Sequence, residues 1–354
     1  MSDEEPREVV ITGLGVVSPI GIGRDAFNAS LRAGRSGIRP ITLFDASGVP
    51  VRFAGEVRWP FQFSHWAESA MGEIYPLWLL RNLPNMVACH IAIAHDARGP
   101  NNTIGHSDVS SLNAIIEGVR VIQRDAADVM IVGGVGARVN PTSQAYRGHG
   151  DLSHRNDDPA RACRPFDADR DGLVNGEGAA AFILESRQHA EKRGAPILAR
   201  LLGYSSTHEP VRPDQPPAGL AARRALTESL TRAGLHPSDI SHVNAHGLST
   251  IDDDRYEAQA IHDVLGDVPV TAPKSFFGHL GAGCGAVEMV AALTALQSGE
   301  IPFTLNYEHP DPACPVDVVV GEPRRPLDGL IRRAAVKLST SRLGYAAALV
   351  IGPD

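Results

Sequence analysis

The chain has 354 residues, enough for two compact halves with sizeable cores or for one large domain. With 43% hydrophobic and 21% charged residues its composition is ordinary for a globular protein, and a net charge of -8 argues against a nucleic-acid surface. No apolar run is long enough to cross a bilayer, and the acidic opening MSDEEPREVV lacks a signal-peptide pattern, so no membrane span and a cytoplasmic location are expected. The four cysteines, Cys89, Cys163, Cys284 and Cys314, show no metal-ligand spacing, which predicts reduced thiols. Cys89 and Cys284 lie among small apolar residues and read as core packing.

Residues 8–18, EVVITGLGVVS, read as a buried strand followed by a loop. Gly21 and Gly23 fall short of a dinucleotide-binding fingerprint. A short helix is predicted over 25–33 and a short strand over 51–57, within a stretch rich in Gly, Pro and aromatics. Residues 74–94 carry helical stretches broken at Pro76 and Pro84. From Gly99 to Gln123 the pattern predicts a short buried strand, a tight turn and a helix. The helix is marked by Val109, Leu112, Ile115, Ile116, Val119 and Ile122 at three- and four-residue steps. Ser107 sits where an N-cap would sit and Asp108 falls in the first turn. Unpaired backbone N–H groups there favour an anion, as at a nucleophile elbow. The helix dipole alone also favours an Asp at this place.

Residues 128–134 read as a buried strand ending in glycines. The polar segment 140–176 is long enough to be functional or interfacial. Its Asp167, Asp169 and Asp171 lack the glycine and closing glutamate of a calcium loop, so no metal is expected there. A strand over 178–184, a helix over 186–193 and a strand over 197–203 follow. The remaining predictions are helices over 219–233 and 256–265, strands over 240–245, 270–274, 334–338 and 346–351, and a loop passing into helix over 277–298. This alternation predicts an α/β protein with mainly parallel central sheets and a pseudo-repeat of two halves. His246 and His279 each sit beside glycine after a predicted strand, with Lys274 five residues before His279.

At these motifs the chain resembles the β-ketoacyl-acyl-carrier-protein synthases, condensing enzymes of the KAS II type within the thiolase superfamily. VVITGLGVVSPIG, LPNM, GPNNTI, RNDDPARACRPFDADRDGLVNGEGAA, VNAHGLST and KSFFGHLGAGCGAVE carry the resemblance over nearly the whole chain. It implies a thiolase-like fold, an α-β-α-β-α layered sandwich of two pseudo-repeated halves over 1–190 and 191–354. The segment between Val57 and Ile74 is several tens of residues too short, which implies a truncated N-terminal half. The resemblance also implies acyl carrier protein as partner, a dimer, no cofactor and no resident metal.

In the family an elbow cysteine takes the acyl chain as a thioester, and two histidines assist decarboxylation of the malonyl thioester. An ungapped count from Gly99 puts Asp108 at the cysteine position. His246, His279 and Lys274 match the remaining catalytic set. Thr250, Phe277 and Gly344 are the substrate-binding candidates. Leu248-Ser249-Thr250 replaces the family's Thr-Gly-Thr, and SRLGYAAA over 341–348 replaces its glycine-rich gate. A carboxylate cannot carry the thioester. Condensation by the chain alone is therefore not expected, and a chain-length-factor-like partner of an active synthase is the first reading. A malonyl-carrier-protein decarboxylase using His246 and His279 is the second. An Asp-His-His metal site is a minor third.

Overall fold

The computed structural model describes residues 6–57, 83–145, 151–212, 217–325 and 334–354. The part of the predicted helical stretch that contains Pro76 lies outside them. In chain order the elements are β1 (Val9–Ser18), β2 (Gly21–Ile22), α1 (Arg24–Arg32), β3 (Ile38–Pro40), β4 (Phe53–Gly55), α2 (Met86–Ala94), α3 (Ser110–Gln123) and β5 (Val129–Ala137). There follow α4 (Pro141–Ala145), β6 (Glu177–Ser186), α5 (Arg187–Lys192), β7 (Ala199–His208), α6 (Leu220–Ala233), β8 (Ile240–Asn244), α7 (Ile251–Leu265) and β9 (Pro269–Thr271). The last are α8 (Lys274–Phe277), α9 (Cys284–Ser298), β10 (Asp317–Val318), β11 (Ala334–Thr340) and β12 (Tyr345–Gly352). Most predicted elements form within a few residues of their expected bounds. One exception is 270–274, where Lys274 opens a short helix instead of ending a strand.

The main sheet runs β10-β9-β8-β11-β12-β7-β1-β6-β5, with β2 hairpinned on β1. It is not mainly parallel, as the alternation predicted. The pairs β1–β6, β5–β6, β1–β7, β7–β12 and β11–β12 are antiparallel, and β8–β9, β8–β11 and β9–β10 are parallel. Tight returns such as 341–344 join neighbouring strands without a crossover helix, and a parallel pair needs that longer connection.

The two halves meet along three pairs, Val9 with Leu201, Val10 with Arg200 and Ile11 with Ala199. Helix α9 packs against β5 and β6 near one end of the sheet and against β8 and β11 near the other. The sheet therefore folds over α3 and α9, which form the central layer. Their apolar faces share one core with Ile11, Phe182, Leu349 and Ile351. The predicted stripe of α3 is fully buried in it. On the outer side of the C-terminal half, α6 and α7 cover Val243, Val336 and Val350 in a second core. A third, smaller core (Phe53, Leu152, Cys163, Leu173, Leu248) lies under the long polar segment.

The N-terminal half is less covered. Val129, Ile131 and Val135 of β5 are exposed, and α2, with the apolar sequence MVACHIAIA, buries none of its residues. Cys89 on α2 is half-buried and so does not serve as core packing, whereas Cys284 is fully buried.

Candidate functional site

The site begins at the entrance to α3. Residues 99–106 form exposed irregular chain where a buried strand was expected. They find no sheet neighbour among the described residues, so the apolar pattern TI is too short to hold a strand there. The elbow is a 3₁₀ turn, Ser107–Val109, running into α3. Ser107 is not the N-cap. Its φ is 53°, a left-handed conformation that makes the turn sharp. The Ser110 hydroxyl instead accepts from the His106 amide (2.8 Å) and donates to the Ser107 carbonyl (2.5 Å). Asp108, on this turn, is 7% exposed.

The C-terminal half supplies the imidazoles. His246 follows β8, and both its amide and that of Gly247 donate to the buried Glu257 carboxylate, at 2.6 and 2.7 Å. Lys274, at the start of α8, places Nζ 3.0 Å from His246 Nδ1 and 2.8 Å from the His246 carbonyl oxygen. An ammonium only donates, so His246 Nδ1 accepts and its proton resides on Nε2. Burial first, then the Lys274 charge, holds the His246 imidazole well below its ordinary pKa. Lys274 also pairs with Glu288 of α9, which Lys337 of β11 approaches from the other side at 2.6 Å. These three charged groups are completely buried and pair with one another, and both ammonium groups also donate to backbone carbonyls. Burial opposes charge on Glu288, but the two ammonium groups keep its pKa low.

His279 lies between the halves. Its ring stands perpendicular to that of His246, with centroids 6.0 Å apart. Its Nε2 is 3.0 Å from Asp108 Oδ1, an ion-pair contact without aligned hydrogen-bond geometry. Arg138, just past the end of β5, brings a guanidinium nitrogen to 3.3 Å from the same oxygen. Burial works against ionising either partner. The opposite charges win, holding Asp108 near a pKa of about 2 and lifting His279 to about 9, the latter helped by the Cys284 sulfur. At neutral pH the centre is thus an imidazolium and a guanidinium closed on one carboxylate.

Arg138 escaped the sequence reading. The available signal was a lone Arg directly after the glycine run of β5. The glycines are required by packing: a Cβ on Gly136 would lie 1.5 Å from the Leu280 carbonyl, and one on Gly281 would lie 2.5 Å from Arg138 Nε. They let the 279–283 turn and the Arg138 side chain press against the strand.

The other candidates are spread out. Thr250 is buried, with its hydroxyl given to Asp253 at 2.6 Å, and its backbone caps α7. Phe277 is fully buried in the main core, its ring 6.2 Å from that of Phe27. Gly344 (φ 81°) closes the β11–β12 turn, where a Cβ would meet the Glu209 carbonyl at 2.1 Å. Arg342 of the same turn pairs with Asp151 and Asp253. Asp167 accepts from the amides of Asp169, Glu308 and His309 and pairs with Arg164, so its oxygens serve the fold of the polar segment.

Residues 198–308 match the family described as "Beta-ketoacyl synthase, C-terminal domain". Residues 6–70 and 61–190 match "Beta-ketoacyl synthase, N-terminal domain" in two stretches whose break falls in the shortened segment. The chain is 35% identical to 3-oxoacyl-[acyl-carrier-protein] synthase 2 of Synechocystis sp., over 92% of this chain and 94% of that protein. It is 34% identical to the protein of the same name from Coxiella burnetii, over 90% and 93%. Among solved structures it is similar to "The ishigamide ketosynthase/chain length factor" (TM-score 0.89, 27% identity, 99% of this chain and 100% of that one). It is also similar to a ketosynthase structure described as a type II PKS acyl-carrier protein in complex with its ketosynthase bound to the hexaketide (TM-score 0.87, 26% identity, 99% and 100%). With both halves matched and the layered α/β fold shared, the chain belongs to the β-ketoacyl synthase family of the thiolase superfamily.

Proposed function

We propose that this chain is a synthase homologue unable to condense by itself, acting as a chain-length-factor-like partner of an active ketosynthase in fatty acid or polyketide-type biosynthesis. The observation that carries the reading is the Asp108 carboxylate at the elbow, paired with His279 and Arg138. A carboxylate there carries no acyl thioester, and its charge fills the donor hole that an enolate oxygen would need. Among the described residues β5 is an edge strand with apolar side chains exposed, which supports pairing with a second subunit, in a homodimer or a heterodimer. The partner that delivers substrate is acyl carrier protein.

The retained His246, His279 and Lys274 favour the second reading, decarboxylation of a malonyl thioester. Asp108 opposes it, because a malonyl carboxylate would meet a like charge. A metal at Asp108, His246 and His279, whose donor atoms lie within 4.8 Å of one another, is the weakest reading. His246 carries its proton on Nε2, and Lys274 and Arg138 add two cations to the space a cation would enter. The deciding experiment is incubation of the purified chain with malonyl- and acyl-loaded carrier protein, followed by intact mass. Unchanged malonyl carrier and no β-ketoacyl product are expected. A β-ketoacyl product would overturn the reading, and acetyl carrier lost in His246→Ala would establish a decarboxylase.

A further inference from the structure

Lys337 is a fully buried cation that the functional reading leaves unused. It stands in the middle of β11, in the run AAVKLST, in register with Asn244 of the parallel strand β8. A charge inside a sheet persists only where partners replace its water. The Lys337 ammonium donates to the carbonyls of Asn244 and Ala245, at 3.3 and 3.2 Å, and to that of Leu338. An ammonium has three donors, so these carbonyls take all of them. Glu288 Oε2, 2.6 Å away, therefore meets the charge of Lys337 without an aligned hydrogen bond. Lys274 is committed in the same way, to the His246 carbonyl, His246 Nδ1 and Glu288 Oε1. The two ammonium groups thus divide one carboxylate, an oxygen each. Between them they also hold the run Asn244–His246 at the end of β8, and the Asn244 side chain closes the frame by donating to the Glu288 carbonyl at 2.8 Å. A second observation comes from His246 itself. Its Nδ1 accepts from Lys274, and its buried Nε2 has no hydrogen-bond partner among the described residues. The ring therefore offers one N–H donor without an acceptor.

We propose that Lys337 is a positioning residue that fixes His246 as an Nε2–H donor in the elbow site, acting through Glu288 and Lys274. With Lys337 charged, each Glu288 oxygen keeps its own cation, Lys274 Nζ stays on His246 Nδ1, and that nitrogen remains an acceptor. Without the Lys337 charge, both Glu288 oxygens compete for Lys274 and draw Nζ away from the ring, and the Asn244 and Ala245 carbonyls lose their donor. The imidazole can then carry its proton on either nitrogen. A fixed N–H donor suits a carbonyl oxygen, such as that of a carrier-bound thioester. The ligand class comes from the family reading, but the role of Lys337 goes beyond it, and its test reads the ring rather than a product.

The test is ring-nitrogen NMR of the full chain with isotope-labelled histidine at neutral pH. His246 should show a single tautomer with its proton on Nε2. In Lys337→Met, a neutral side chain of similar length, that signature should give way to a mixture that includes Nδ1–H. His242 is the control, a buried ring on β8 whose Nδ1 faces the Ser241 hydroxyl at 3.1 Å, and it should stay unchanged. An unchanged His246, or His246 and His242 moving together as β8 is disturbed, overturns the proposal. In Lys274→Met the lock should already be gone, so adding Lys337→Met should leave His246 as it is. A further change there would show that Lys337 does not act through Lys274, and the proposal fails. Lys337→Gln, which keeps two donors for the carbonyls but carries no charge, asks the same question if the Met variant does not fold. A proton on His246 Nδ1 in the unmodified chain refutes the proposal without any variant.

Discussion

Asp108 and His279 carry opposite charges 3.0 Å apart, and that contact sets a pH window for the whole site. His279 is raised from 6.5 to about 9, so its contribution to stability is complete below pH 6.5 and is lost as pH climbs through 9. Asp108 is lowered from 3.8 to about 2, so its contribution is complete above pH 3.8 and is lost as pH falls through 2. The melting temperature should therefore be highest between these ordinary values and decline from neutral pH towards 9. In Asp108→Asn the alkaline decline should flatten, the His279 ring should titrate at lower pH by NMR, and unfolding should cost about 3 kcal/mol less. An unshifted His279 titration would mean that the ion pair does not form. The Lys274–Glu288–Lys337 group behaves differently. Lys274→Met leaves Glu288 with one ammonium and His246 Nδ1 without its donor, inside a fully buried space. A loss of about 3–5 kcal/mol in urea unfolding is expected, while Arg342→Met at the half-exposed turn should cost under about 1 kcal/mol.

At the level of elements, strand β5 carries both the site and the expected subunit contact. Its inner side is stripped to glycine so that the 279–283 turn can approach. Gly136→Ala would force a Cβ into the Leu280 carbonyl and push His279 away from Asp108. A drop of about 2 kcal/mol or more in stability, together with loss of the raised His279 titration, should follow. Its outer side exposes Val129, Ile131 and Val135 on an edge that pairs with no further strand among the described residues. If this edge pairs with a second subunit, Ile131→Lys should leave the fold intact by circular dichroism and shift sedimentation to the monomer. An unchanged sedimentation coefficient would place the subunit contact elsewhere. The periodicity of α3 was readable from sequence because six apolar positions recur on one face. The strand before it was not, because strand formation depends on a neighbouring strand, and none pairs with residues 99–106 among the described residues.

Across the whole molecule, the same contrast decides what the sequence could disclose. Local patterns located most elements, and the motifs around His246, Lys274 and His279 identified residues that the fold brings to one place. Strand direction was not disclosed, since β11 and β12 look alike whether a turn or a crossover joins them. Arg138 was not disclosed either, because its meaning depends on Asp108 thirty positions away across the elbow. These long-range couplings also predict the outcome of restoring a cysteine. In Asp108→Cys the new thiol would stand beside His279 and under Arg138, so a thiolate there would be stabilised by two cations. The β11–β12 turn would remain pinned by Arg342 to Asp151 and Asp253, and Thr250 would remain committed to Asp253. Alkylation of residue 108 should therefore become fast, while β-ketoacyl formation with malonyl carrier protein stays absent. Condensation by this single variant would show that the turn and the Thr250 contact do not limit the reaction, and that Asp108 alone separates this chain from an active synthase.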